Sequence, residues 1–349
     1  MHDHTAAPSP SCSPASAPDV FFALAVLIVA TLFVATPLNA QRPVSTYSIV
    51  ARDSATGQLG VAVQSHWFSV GPLVPWAKAG VGAVATQSFV EVSYGPLALE
   101  MLATGRTAEE ALRGLVASDP YPEVRQVAVV DANGNVAAHT GEMAIAEAGH
   151  RTGTGYSVQA NMMLNATVPD AMARAYETSD GDLAERLLAA LEAAQAEGGD
   201  IRGRQSAAIL VVSGHPTGRP WADRLFDLRV EDNPEPVVEL RRLVHLGRAY
   251  QHMNAGDEAM TTGDTEGALR EYSTAASMVP DEATNGEMVF WHGVALVNAG
   301  RVDESLALFR RAYAVDPNWR ELVRRLRVVG QLPDDDALID RITAVRDEG

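Results

Sequence analysis

Runs of small and β-branched residues, arriving in pairs joined by tight turns, set the strongest limit on what this chain can fold into. Residues 47–53 and 59–65 alternate well enough for strands and flank Ser54-Ala55-Thr56-Gly57, which is turn chemistry. Residues 127–131 and 136–140 flank Ala132-Asn133-Gly134-Asn135, and Asn-Gly between apolar runs is a strong hairpin signal. Further strands fit 81–88, 155–162, 206–212 and 225–230. Helices are expected in pairs between them, at 96–103 and from Thr107, then at 169–178 and 183–197, with a longer one over 236–252. Thr107 and Glu110 have the spacing of a capping box. Hairpins outnumber strand–helix–strand crossovers, which predicts two stacked, largely antiparallel sheets covered by helix layers. Gly153-Thr154-Gly155 lacks the strand-to-helix setting of a dinucleotide site and reads as a loop.

A second pattern begins after Ala255. Gly263, Leu269, Tyr272, Ala275 and Pro280 recur as Gly300, Leu306, Phe309, Ala312 and Pro317. The spacing resembles that of tetratricopeptide repeats, whose unit is a helix hairpin of about 34 residues. Such a unit cannot bury its apolar stripe alone and stacks on neighbours. The helix ending near His252 and the segment 319–329 would cap the two sides. The module is either a helical appendage covering the core or a groove for a protein partner. The resulting plan is a leader over 1–40, an α/β domain over 46–250, helical repeats over 255–330, and a tail or helix over 331–349.

The leader divides in two. Residues 1–19 are rich in Pro, Ser and Ala, without apolar periodicity, and read as disordered. Residues 20–35 are almost purely apolar, short for a membrane span, and suit an export signal cut near Ala40. An uncleaved anchor and a buried core helix are the other readings; no Lys or Arg precedes the run to orient it. The expected location is therefore periplasmic or extracellular. The single cysteine, Cys12, lies in this leader, so the rest of the chain has no disulfide framework and no thiolate nucleophile. A formal net charge of −17 repels nucleic acid and anionic lipid, so neither is an expected partner.

Several ordered stretches carry a family resemblance. Thr46-Tyr47-Ser48-Ile49-Val50-Ala51-Arg52-Asp53, then Val74-Pro75-Trp76-Ala77-Lys78-Ala79-Gly80, Ser93-Tyr94-Gly95-Pro96, Gly155-Tyr156-Ser157-Val158-Gln159-Ala160-Asn161-Met162 and Gly203-Arg204-Gln205-Ser206 resemble the domain of unknown function family 1028. The likeness spans about 46–250. It implies the fold of N-terminal-nucleophile (Ntn) hydrolases, an α+β four-layer αββα sandwich, in agreement with the layers read above. It implies a hydrolase without naming a substrate.

In that superfamily a Thr, Ser or Cys becomes the first residue, its hydroxyl or thiol attacks an amide carbonyl, and its own α-amine takes the proton. Thr46 is the candidate, with Ser45 next in line. A cut after Ala40 leaves five residues ahead of Thr46, and an amide nitrogen cannot serve as base, so a second cut is required. Otherwise Thr46 is simply a β-branched strand former. Lys78, the only lysine in the chain, could lower the amine's pKa, or be an ordinary surface lysine. Asp53 could orient an amine, or close the turn before Ser54. Ser65 and His66 are adjacent on a strand and point to opposite faces, so they cannot couple with each other; either could border a substrate site. Gln87, Asn161 and Gln205 are amides in apolar strands that could donate to an oxyanion or grip a substrate amide, or be satisfied buried amides. No phosphate loop, basic patch or helix-face pair of metal ligands stands out, so neither cofactor nor metal is expected.

Two readings follow. One is an exported hydrolase acting on a small amide- or peptide-like ligand through Thr46. The other is the same domain without catalysis, binding a ligand or acting as scaffold, with the repeats recruiting protein partners. Assembly as a homo-oligomer stays open in both.

Overall fold

The computed structural model describes Val44 and residues 46–346. The leader, its apolar run, Cys12, the cut near Ala40 and Ser45 lie outside the described residues.

Among the described residues ten strands form two antiparallel sheets. The larger has the order β10-β9-β2-β1-β8-β7, from β1 (Thr46–Arg52), β2 (Leu59–Ser65), β7 (Gly149–Gly153), β8 (Tyr156–Asn161), β9 (Ser206–Val212) and β10 (Arg224–Val230). The smaller runs β3-β4-β5-β6, from β3 (Pro75–Lys78), β4 (Gly82–Ser88), β5 (Arg125–Asp131) and β6 (Val136–Thr140). Side chains alternate along each strand. In β1, Tyr47, Ile49 and Ala51 face one way and join an aliphatic core with helix residues such as Leu187, Leu191 and Leu240. Val50 faces the other way and meets Val61, Val63, Ala83, Ala85 and Val130, the core between the sheets.

Helices cover the outer face of each sheet. Against the smaller sheet lie α1 (Tyr94–Ala103) and α2 (Ala108–Ser118), with Leu99, Leu112 and Leu115 packed on Val84 and Val129. The capping box is present: the Glu110 N–H donates to Thr107 Oγ1, and the Thr107 N–H to Glu110 Oε2. Against the larger sheet lie α3 (Val168–Thr178), α4 (Leu183–Ala196) and the first part of α5 (Pro236–Thr262).

The expected break at His252 does not occur. Helix α5 runs unbroken to Thr262, so it continues from the α/β part into the helical C-terminal region. Gly256 survives there because its missing Cβ makes room for a ring: a Cβ would lie 2.6 Å from Tyr272. The helical C-terminal region continues through α6 (Thr265–Met278), α7 (Glu287–Asn298), α8 (Val302–Val315), α9 (Trp319–Val328) and α10 (Asp336–Thr343) around a core of Tyr272, Phe290, Phe309 and Val323. The helices α6 and α8 carry the recurring Leu-aromatic-Ala pattern, and each follows a left-handed glycine, Gly263 and Gly300.

Candidate functional site

Strand β1 lies at the centre of the larger sheet, and Thr46 is its first residue, opposite Ser65 on β2 and Asn161 on β8. Thr46 is fully buried. Its hydroxyl donates to the Val44 carbonyl at 2.7 Å and lies 3.3 Å from Ser65 Oγ. By strand alternation Thr46 and Ser48 face the smaller sheet, as Val50 does. Where that aliphatic layer ends, a polar seam takes over.

The seam is made of amides. Gln87 of β4 accepts from Ser48 Oγ at 2.6 Å, and its Nε2 donates to Gln126 Oε1 at 2.7 Å and to the Thr46 carbonyl at 3.2 Å. Asn161 Nδ2 also donates to Gln126 Oε1, at 2.9 Å. Gln126 Nε2 reaches the Ala160 carbonyl at 2.9 Å, and Gln159 donates to Ser48 Oγ. All five of these side chains are fully buried with Thr46. A buried polar group is tolerated when hydrogen-bonded, and this network ties both sheets to the first residue of β1. Ser48, Gln126 and Gln159 were not singled out from the sequence. The available signal was the run of polar residues on one parity of β1 (Thr46, Ser48) and of β8 (Ser157, Gln159, Asn161), and the single Gln126 among the apolar residues of β5.

The backbone is unusual at the same end. Ser88 and Met162, directly after Gln87 and Asn161, take left-handed conformations with φ of 70° and 57°. Non-glycine residues there carry strain of about 1–3 kcal/mol each, and such strain gathers at functional sites. Among the described residues the buried Ser88 hydroxyl has no hydrogen-bond partner.

Two of the expected catalytic residues are elsewhere. Asp53 follows the far end of β1, seven residues from Thr46, a separation of about 23 Å at strand rise. Its Oδ1 accepts from the Ala55 and Thr56 amides and the Thr56 hydroxyl, closing the turn, and its Oδ2 lies 3.5 Å from Arg186. Burial works to raise this carboxyl, yet Thr56, Ala55 and Arg186 together hold it below the usual carboxylate range. Lys78 pairs with Gly82, six residues along β4 from Ser88, or about 20 Å from the Thr46 end. It is exposed and lines a mostly apolar cleft of 490 Å³ with Trp76, Leu99 and Pro216. The trio of Thr46, Asp53 and Lys78 is therefore not assembled, because a strand keeps its two ends apart.

The remaining residues divide. Ser65, Gln87 and Asn161 gather at Thr46. His66 turns away: its N–H donates to Asp200 at 3.0 Å and its ring lies 3.4 Å from the Arg204 carbonyl. Gln205 donates to Asp232 at 3.1 Å and pins the segment before α5. Among the described residues no three His, Cys, Asp or Glu side chains form a group able to hold a metal ion.

A mixed α/β protein with two antiparallel sheets, a buried hydroxyl opening the central strand and a helical C-terminal region is the class these features define. Residues 46–240 match the model of a family of unknown function, DUF1028, and the chain belongs to that family. It is similar to a solved structure, protein SPO2555 from Silicibacter pomeroyi, also of DUF1028, at 32% identity and a TM-score of 0.51, over 57% of this chain and 87% of that one. No curated protein matches the chain.

Proposed function

We propose that this chain is a latent amide hydrolase of the Ntn type, in which Thr46 becomes the nucleophile once the residues ahead of it are removed. The observation that carries the reading is the Thr46 hydroxyl, fully buried at the head of the central strand, 2.7 Å from a carbonyl and 3.3 Å from Ser65 Oγ. Helix pairs outside two facing sheets support the αββα order of that superfamily. In the uncut chain the Thr46 nitrogen is an amide and cannot take a proton. After a cut between residues 45 and 46 it is an α-amine with an ordinary pKa near 8. It can then take the hydroxyl proton as Oγ1 adds to a substrate carbonyl. The amides of Asn161 and Gln87 are the nearest candidates to donate to the oxyanion. Asp53 and Lys78 have no part in this chemistry.

The repeats after α5 are, on this reading, tetratricopeptide-like and available to a protein partner, and the leader directs export. A second reading is favoured by Val44, which is buried and bridged to Ser88 in the uncut chain: the domain then binds its ligand without catalysis. Turnover of a panel of small amides by the exported form, lost in Thr46→Ala and retained in part by Thr46→Ser, is the result expected of the hydrolase. Turnover unchanged in Thr46→Ala removes Thr46 as nucleophile.

A further inference from the structure

Val44 is tied to the sheet opposite the one that Thr46 begins. Its N–H donates to the Ser88 carbonyl at 2.6 Å, and its carbonyl accepts the Ser88 N–H at 3.0 Å. This is a two-way antiparallel bridge to the last residue of β4. The Val44 side chain is 1% exposed, in the inter-sheet aliphatic cluster that holds Val63, Val70, Val74 and Ala85. Its carbonyl also receives the Thr46 hydroxyl. One residue thus satisfies the backbone of Ser88, fills an aliphatic hole and lies against the candidate nucleophile.

Resting on the hydrolase reading above, we propose that Val44 occupies the site's own ligand subsite. The ligand is an extended, peptide-like acyl chain whose second residue from the amide to be cut bears a small β-branched aliphatic side chain. Removing Val44 frees one donor and one acceptor on Ser88, the pair that an added strand residue needs. It also vacates a hole lined by aliphatic groups and leaves the Ser88 hydroxyl, unpartnered among the described residues, beside the incoming chain. A glycine at that place leaves the hole empty, and an aspartate buries an unpaired charge. In the reaction Thr46 Oγ1 adds to the acyl carbon and the C–N bond breaks. The hydroxyl proton passes through the Thr46 α-amine to the leaving amine. Water then hydrolyses the ester, releasing the carboxylic acid and restoring the hydroxyl.

The test uses the full-length chain and two vacated forms that lack Val44 altogether, one beginning at Thr46 and one beginning at the same place with Thr46→Ala, each checked for an intact cooperative melt. The probe is fluorescently labelled Arg-Pro-Val-Ser amide, with Gly or Asp replacing Val as controls, read by anisotropy. The uncut parent should bind none of them. The vacated variants should bind the Val peptide about tenfold or more tighter than the Gly peptide, the discrimination a small aliphatic pocket provides, and should not bind the Asp peptide. Equal affinity for the Val and Gly peptides, or no binding to either folded variant, overturns the subsite. Amide turnover without preference for Val at this place overturns the subsite and leaves the hydrolase intact. The graded preference with no amide turnover by the form beginning at Thr46 supports the subsite and removes the hydrolase.

Discussion

Replacing Gln87 by Met keeps the side chain's length and removes every hydrogen bond it makes. Four are lost: those from Ser48 Oγ, to Gln126 Oε1, to the Thr46 carbonyl and, weakest at 3.5 Å, to the Gln159 carbonyl. The consequences are unequal. Gln126 Oε1 keeps Asn161 as a donor, so that acceptor is weakened and not orphaned. The Ser48 proton loses its acceptor in a fully buried position. An orphaned buried donor costs about 1–3 kcal/mol, and each other net hydrogen bond about 1 kcal/mol, so the expected loss is about 3 kcal/mol. At about 2 °C per kcal/mol for a protein of this size, the melting temperature should fall by about 6 °C. Calorimetry of parent and variant near neutral pH, supported by urea titration, measures it. A loss below about 1 kcal/mol would mean that the polar seam is not a closed network, and the reasoning that makes it the frame of the Thr46 site would fail.

Other consequences are simpler to state. Asp53→Ala removes a turn acceptor used by three donors; stability should fall by about 1 kcal/mol while amide turnover stays unchanged, and a large drop in turnover would return Asp53 to the chemistry. Arg248→Ala unties α5 from Asp182 and Glu185 of α4 and should cost about 2 kcal/mol, with faster hydrogen exchange along that helix pair. Asp119 is 3% exposed and paired with Arg125 at 2.8 Å. Burial works to raise its carboxyl, but Arg125, the Tyr121 amide and the Tyr94 hydroxyl hold it below the ordinary range. A depressed folded pKa gives stability that is present above the unfolded value of about 4 and lost as pH falls through the folded value. The melting-temperature gap between the parent and Asp119→Asn should therefore be full at pH 7 and close below about pH 4.

Much of the fold was legible because local chemistry and tertiary need agree. Strands β2, β6 and β9 and the Thr107 cap fall where alternation and capping put them. Two edge strands were not legible. β3 opens on a proline and spans four residues, and β7 is the largely polar Gly-His-Arg-Thr-Gly. Each has one strand neighbour, so neither needs the two-faced apolar pattern of a central strand. The overrun of α5 was hidden because Gly256 reads as a breaker until the Tyr272 ring is seen against it.

The site was legible in part for the same physical reason. Thr46, Ser65, Gln87 and Asn161 converge because their strands are neighbours in register or face each other across the core. Asp53 and Lys78 were candidates by residue type alone, and strand geometry carries them to the far ends of their strands. The left-handed Ser88 and Met162 had no signal, since neither residue type announces a positive φ.

The most direct measurement is the intact mass and N-terminal residue of the protein isolated from its own cells and their medium, taken beside its turnover of small amides. A mature chain beginning at Thr46, active on an amide and inert as Thr46→Ala, is the outcome expected. A mature chain that keeps Val44 and still hydrolyses amides would contradict the account, because no free amine would then stand beside the Thr46 hydroxyl.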